Sequence, residues 1–292
     1  MRDGEGTQAT GTLIAIGGHE DKEGRRTILR EVARLLGKGR LVVATVASHE
    51  PEGYFDGYKR AFADLGVTDL VELYVKERAQ TALPETLRLM EGARGVFFSG
   101  GDQLRISSTL GDTPVARRVM EIFAAGGLIA GTSAGAAAMS DTMLVKGSNA
   151  ESHRIGDLHM APGLGLLPNV IVDQHFAERG RIGRLLGAVA QNPRELGVGI
   201  DEDTAIVVRG DRFEVIGAGG VYVVDGAGVT HSNIAEAAPQ RALSMFDVRL
   251  HVLGDGDSFD LARRRPADMP EMRETRALEA DAAGERGAQP GG

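Results

Sequence analysis

The stretch Gly127–Ser140, GLIAGTSAGAAAMS, constrains the fold of this chain more than any other. Its first four residues are apolar or small, Gly131-Thr132-Ser133-Ala134-Gly135 is a turn, and a run of small, helix-tolerant residues follows. The pattern predicts a strand, a sharp turn and a helix start, with one serine at the apex. Glycines on both sides of Ser133 permit positive φ and let strand and helix approach closely without Cβ clashes. A hydroxyl held there stands clear of the sheet, and its own turn offers backbone N–H groups to an oxyanion. A Gly-rich connection with an incidental serine has the same local pattern, so the surroundings decide between the two.

Upstream, strands and helices alternate. Thr12–Ile16 reads as a buried strand ending at Gly17-Gly18, and His19–Lys22 (HEDK) as a polar loop. Ile28–Leu36 has helical spacing, while Leu41–Val46 is continuously apolar, as a strand covered on both faces is. Helix Pro51–Leu65, strand Leu70–Val75, helix Pro84–Glu91 and strand Gly95–Phe98 follow, then helices at Leu104–Thr109 and Val115–Ala125. This alternation predicts an α/β fold, a doubly wound, mainly parallel sheet with helices on both faces. Ligands of such sheets sit at the carboxyl ends of the strands. The turns at Gly17, Gly101 and Ser133 all fall there.

The second half differs. Val170–His175 (VIVDQH) reads as a strand and Ile182–Gln191 as a helix. Val198–Asp201, Ala205–Arg209, Phe213–Ile216 and Val221–Val224 are short strands joined by tight Gly/Asp turns, which predicts an antiparallel extension. Met245–Leu253 reads as the last strand. Residues 1–10 read as a flexible tail, 11–266 as a single domain, and the charged, Ala/Gly/Pro-rich 267–292 as a disordered tail.

Composition closes off several functions. With 42% hydrophobic and 25% charged residues among 292, the chain has the make-up of a soluble protein with a sizeable core. A net charge of −8 disfavours a nucleic-acid partner. The absence of cysteine removes a disulfide framework, a thiolate nucleophile and a thiolate metal site. No apolar run approaches the ~20 residues of a membrane span, and the first ten residues hold no apolar signal core. No membrane partner and a cytoplasmic location are therefore expected.

A serine hydroxyl attacks an acyl carbon only if a base takes its proton, and that base needs an orienting carboxylate. Of seven histidines, His175 stands out from His19, His49, His153, His159, His231 and His251. It ends a predicted strand, on the sheet edge where Ser133 is expected. The acid is expected from Asp201-Glu202-Asp203, which follow the next strand; position alone does not choose among the three. The order Ser, His, acid separates the chain from the α/β-hydrolase order of Ser, acid, His. Arg179, Arg181 and Arg184 do not share one helical face, and a rim of guanidinium groups beside a nucleophile suits carboxylates on a substrate. His153, Asp157 and His159 in a Gly-containing loop are too weak a set for a metal site.

GGHEDK at Gly17–Lys22, SGGDQLRI at Ser99–Ile106, GTSAGAAAMS at Gly131–Ser140, DQHFAERGRIGRL at Asp173–Leu185 and GIDEDTA at Gly199–Ala205 together resemble the cyanophycinase family. Its members are serine-type exopeptidases related to aspartyl dipeptidases, on a class I glutamine amidotransferase-like fold. The resemblance runs from about Gly11 to Pro266, and DQHF followed by spaced arginines is its most specific part.

The resemblance implies Ser133 as nucleophile, His175 as general base and Glu202 as triad acid. It implies an oxyanion hole from backbone N–H groups at Gly101 or Asp102 with Ala134. Gln103, Asp173, Gln174, Arg179, Arg181 and Arg184 would bind substrate. That substrate would be cyanophycin, a polyaspartate with arginine on each β-carboxyl, cut from a chain end to β-Asp-Arg dipeptides through an acyl-enzyme. Substrate carboxylates would meet the three arginines; substrate arginines would meet the HEDK loop and Asp173. No cofactor or metal is required by that chemistry, and family members often form homodimers. His19 departs from the family pattern, where a small residue is expected. Two alternatives remain: an aspartyl or isoaspartyl dipeptidase acting on β-aspartyl peptides, and a non-catalytic, polymer-binding relative.

Overall fold

The computed structural model describes residues 11–48, 53–147, 154–235 and 241–267. The tail expected at 1–10 and, apart from Ala267, the one expected at 267–292 lie outside these, as do His49 and His153.

In chain order the elements are β1 (Thr12–Ile16), α1 (Thr27–Leu36), β2 (Arg40–Ala44), α2 (Tyr54–Ala63), β3 (Leu70–Leu73), α3 (Pro84–Leu89), β4 (Ala93–Phe98), α4 (Gln103–Leu110), α5 (Pro114–Ala124), β5 (Leu128–Thr132) and α6 (Ala134–Ala137). Next come β6 (Thr142–Lys146), β7 (His159–Pro162), β8 (Val170–Gln174), α7 (Ile182–Gln191), β9 (Leu196–Ile200), β10 (Thr204–Arg209), β11 (Arg212–Gly217) and β12 (Val221–Asp225). The last are β13 (His231–Ser232), β14 (Met245–Phe246), β15 (Arg249–Leu253), β16 (Ser258–Asp260) and β17 (Arg265–Pro266).

The main sheet has the order β17-β16-β11-β10-β1-β5-β4-β2-β3. Strands β1, β5, β4, β2 and β3 run parallel, and β10, β11, β16 and β17 extend the sheet antiparallel from β1. Helices bury both faces of the parallel part, which is why its strands are apolar without alternation. On β1, Ile14 and Ile16 pack with Ile28, Leu29, Val32 and Leu36 of α1 and with Tyr58 and Phe62 of α2. The intervening Leu13 and Ala15 belong to the opposite layer, with Val115, Val119, Ile122 and Phe123 of α5. That helix begins as its sequence dictates, with Thr113 accepting from the Ala116 amide and Pro114 in the first turn, where a proline costs no hydrogen bond.

The structure corrects the expectation that the serine and histidine strands share one sheet. β8 lies in a second, four-stranded sheet of order β15-β12-β9-β8. The predicted antiparallel extension is divided: β10 and β11 join the main sheet, β9 and β12 the second one. The divide falls at Asp201–Asp203, where Asp203 turns the chain with φ 46°. Apolar periodicity reports that a strand is buried and carries no information on which sheet buries it. The ribbon of β6 and β7 escapes sequence reasoning because HMAP, with a histidine and a proline, is not an apolar run. Met245–Leu253 divides into β14 and β15 at Asp247, whose φ is 61°. Among the described residues no helix is long and apolar enough to cross a membrane.

Candidate active site

Ser133 sits between β5 and α6 with φ 53° and ψ −114°, a conformation that costs energy in an L residue and persists only where surroundings enforce it. Here the enforcement is local. A Cβ on Gly131 would lie 2.5 Å from the Gly135 carbonyl oxygen, and one on Gly135 would lie 2.4 Å from that of Phe98. Strand and helix are thus closer than side chains permit. The Ser133 amide donates to the Ile16 carbonyl at 2.9 Å, tying the turn to the end of β1.

The same end of β1 gathers the other two groups. The His175 amide donates to Gly17 O at 2.8 Å, and the Asp203 amide to Gly18 O at 2.9 Å. Two sheets therefore converge on Gly17-Gly18, which brings the β8 terminus to the β5 terminus. Ser133 Oγ lies 2.8 Å from His175 Nε2, and His175 Nδ1 lies 2.6 Å from Glu202 Oε1.

The neighbouring acids are committed elsewhere. Asp201 accepts from the amides of Ala177 and Gly220 at 2.9 Å each, and Asp203 accepts from the Asp21 amide at 2.9 Å. Burial, with a smaller contribution from the Arg179 charge, lowers the His175 pKa below its ordinary value, against the opposing hydrogen bond to Glu202. The imidazole is therefore neutral at pH 7 and able to accept a proton, as a general base must be.

Two of the expected oxyanion-hole residues lie beside the serine. Ala134 is the first residue of α6, so its N–H has no acceptor within the helix, and Gly101 lines the pocket above Ser133. The structure removes Asp102 from the oxyanion-hole candidates. Its amide is spent on the Ala47 carbonyl at 3.0 Å, and its carboxylate caps α4 at the Leu104 amide.

The serine opens into a pocket of about 440 Å³, whose walls include His19, Lys22, Tyr54, Tyr58 and Arg179. A larger apolar groove of about 690 Å³ beside α4 and α5 contains no histidine and lies away from the relay. The arginine rim is split. Arg179 lines the serine pocket, while Arg181 and Arg184 line a neighbouring cavity of about 640 Å³ with Lys146, Asp157 and His159.

Asp173, expected to bind substrate, is engaged by protein groups. It is fully buried, and its oxygens accept from Arg184 Nε at 2.7 Å, from Arg184 Nη2, and from Arg181 Nη1 at 3.3 Å. Burial, with the charges of Arg184 and Arg179, brings Arg181 down to about 10 against the attraction of Asp173, so it stays cationic at neutral pH. Gln174 accepts from Arg181, and Gln103 donates to the Leu144 and Val145 carbonyls at 2.6 and 3.3 Å.

Of the HEDK loop, His19, Glu20 and Lys22 line the serine pocket, and the Glu20 carboxylate already has partners there. Glu20 is buried at the wall of that pocket, accepting from Thr132 at 2.5 Å, Tyr58 at 2.6 Å and Lys22 at 2.8 Å. Burial raises its pKa, but Lys22 and the hydrogen bonds outweigh this and hold the carboxyl ionised below its usual range. Asp21 accepts from the amides of Glu23, Gly24 and Arg26 and so shapes its own loop. Sequence reasoning misses Tyr58 and Thr132. The one signal for Thr132 is its adjacency to Ser133, and Tyr58 has none.

Gly18 gives this site a sharp test. Its φ is +112°, and a Cβ there would fall 2.3 Å from His175 Cε1 and 2.6 Å from Nε2. Gly18→Ala must displace the imidazole, and misplacing a catalytic group by about 1 Å can cost 10²-fold. We expect kcat/KM to fall by about that factor or more. A variant with wild-type kinetics would mean that the ring has room the structure does not show.

A mainly parallel α/β sheet with Ser133 at a strand end and His175 and Glu202 beside it is a class I glutamine amidotransferase-like fold. Its overall path superposes on a crystal structure of a peptidase from an acI-B1 Actinobacterium with a TM-score of 0.62, at 24% identity, covering 87% of this chain and 98% of that one. Peptidase family S51 matches residues 13–216. The cyanophycinase of Geminocystis herdmanii is 39% identical over 259 residues, covering 87% of this chain and 95% of that protein. That of Trichormus variabilis is 41% identical over 262 residues, 88% of each. The chain belongs to peptidase family S51 and is a peptide-bond hydrolase.

Proposed function

We propose that this chain hydrolyses cyanophycin, multi-L-arginyl-poly-L-aspartate, from a chain end to β-Asp-Arg dipeptides, with Ser133 as nucleophile, His175 as general base and Glu202 as its orienting acid. The observation that carries the substrate is the 39–41% identity to two cyanophycinases over most of both chains. Ser133 Oγ gives its proton to His175 Nε2 as it attacks the aspartyl backbone carbonyl. The oxyanion is received by the Gly101 and Ala134 amides; losing one such donor typically costs about 10²–10³ in rate. His175 then protonates the leaving amine. Water, deprotonated by the same nitrogen, releases the acyl group.

The electrostatics suit a substrate bearing free carboxylates. Arg179 and Lys22 present cations to the serine pocket, and in the neighbouring cavity two guanidiniums share the single Asp173 carboxylate. Arg181 Nε is buried without a hydrogen-bond partner among the described residues, leaving a donor for a ligand oxygen. A cytoplasmic homodimer completes this reading, to be checked by cell fractionation and light scattering.

The reading is tested by mass spectrometry of products released from insoluble cyanophycin. β-Asp-Arg is expected. If the polymer stays intact while β-aspartyl dipeptides are cleaved, the chain is a dipeptidase instead.

A pH profile tests the base. Activity needs neutral His175, so kcat/KM should hold through neutral pH and fall as pH drops through a pKa below 6.5. Arg179→Gln removes a positive charge that disfavours the imidazolium, so the acid limb should move to higher pH. An unmoved or lowered limb would contradict the assignment of His175.

A further inference from the structure

We propose that His19, His175 and Glu202 form a binding site for a borderline divalent cation such as Zn²⁺, and that its occupation switches the hydrolase off. Glu202 is shared between two imidazoles. Its Oε1 lies 2.6 Å from His175 Nδ1, and its Oε2 lies 3.4 Å from His19 Nδ1. One donor atom from each of the three residues falls within 4.8 Å of the others.

For tetrahedral zinc with bonds of about 2.0–2.2 Å, neighbouring ligand atoms stand roughly 3.3–3.5 Å apart. The His19 Nδ1–Glu202 Oε2 separation already has that value, the His175 Nδ1–Glu202 Oε1 contact needs to open by less than about 1 Å, and the longest separation among the three donors, within 4.8 Å, needs to close by up to about 1.5 Å. Two imidazoles and a carboxylate suit zinc, copper and nickel rather than magnesium or calcium. Among the described residues it is the one cluster of three such donors. The His19 side chain is 70% exposed, which gives the ion a path in, and water can complete the coordination.

The consequence for catalysis follows from proton bookkeeping on one ring. A neutral imidazole carries one proton, which must sit on Nδ1, toward Glu202, if Nε2 is to accept from Ser133. A metal bound at Nδ1 takes that lone-pair position. The proton moves to Nε2, which then donates to Ser133 Oγ and can no longer accept its proton. Glu202 meanwhile turns from orienting His175 to ligating the ion. No bond to substrate is involved, and removal of the ion restores the original tautomer.

Inhibition rests on the assignment of His175 as base whereas binding does not, so binding is measured separately and without substrate. The full-length chain, stripped with a chelator, is titrated with ZnCl₂ by calorimetry, and hydrolysis is followed over the same concentrations. One zinc per chain is expected, with inhibition at the same midpoint and recovery on adding EDTA. His19→Ala should weaken the zinc affinity by at least about tenfold, a factor that loss of support at a metal site commonly produces. Its activity, scored against its own metal-free rate, should resist zinc by the same factor. Equal affinity in His19→Ala and wild type would overturn the site, as would no binding at all. Binding lost in His19→Ala without any inhibition of the wild type would overturn the switch.

Discussion

Ser133→Ala is expected to lower kcat by about 10⁶-fold, the loss seen when the nucleophile of a serine relay is removed, with little effect on folding. The turn is held by Gly131, Gly135 and the Ser133 amide rather than by the hydroxyl, whose one hydrogen-bond partner among the described residues is His175 Nε2. Alanine meets the same positive φ that serine already tolerates. Rates are read from β-Asp-Arg release, and folding from thermal melting. A variant retaining more than about a tenth of wild-type kcat would place the nucleophile elsewhere.

Asp173→Ala should be the most destabilising single change in the site. Asp173 is wholly buried, and both of its oxygens hold arginines whose side chains are only 7% and 5% exposed. Removing one member of a buried ionic cluster typically costs about 3–5 kcal/mol because the remaining charges lose their compensation. Here two guanidiniums are orphaned together, so the upper part of that range applies. For a chain of this size the melting temperature should fall by roughly 10 °C or more. Asp173→Asn keeps the shape and one acceptor and should fall between the alanine variant and the wild type. A drop below about 2 °C in Asp173→Ala would mean that solvent or rearrangement already satisfies the arginines.

Both sides of the relay are legible in the sequence as strand ends. Apolar runs closed by Gly17-Gly18, by the Ser133 turn and by Asp173-Gln174-His175 mark where side chains leave the core, and in a wound sheet that is where chemistry is placed. The acid is not legible from position. Asp201, Glu202 and Asp203 are consecutive and similar in chemistry, and what separates them is which way each points. Asp201 points at the Ala177 and Gly220 amides, Asp203 at the Asp21 amide, and Glu202 at His175. The arginines are legible as a set but not as a division. Arg181 precedes α7 and Arg184 lies on its buried face, so both turn inward to Asp173 while Arg179 stays with the serine.

By itself, then, the sequence determined the local features: the strand–turn–helix around Ser133, the parallel alternation of the first half, the strand ending in His175, and the family these stretches resemble. Each depends on residues near one another in the chain, through backbone sterics, apolar periodicity and turn chemistry. Tertiary structure alone decided the contacts between distant segments. These are the split into two sheets, the meeting of three chain segments at Gly17-Gly18, and the burial of Glu20 and Asp173 as scaffolding. Partner choice there depends on distance and direction in space across long stretches of chain, 182 positions between Asp21 and Asp203, and no local pattern encodes it.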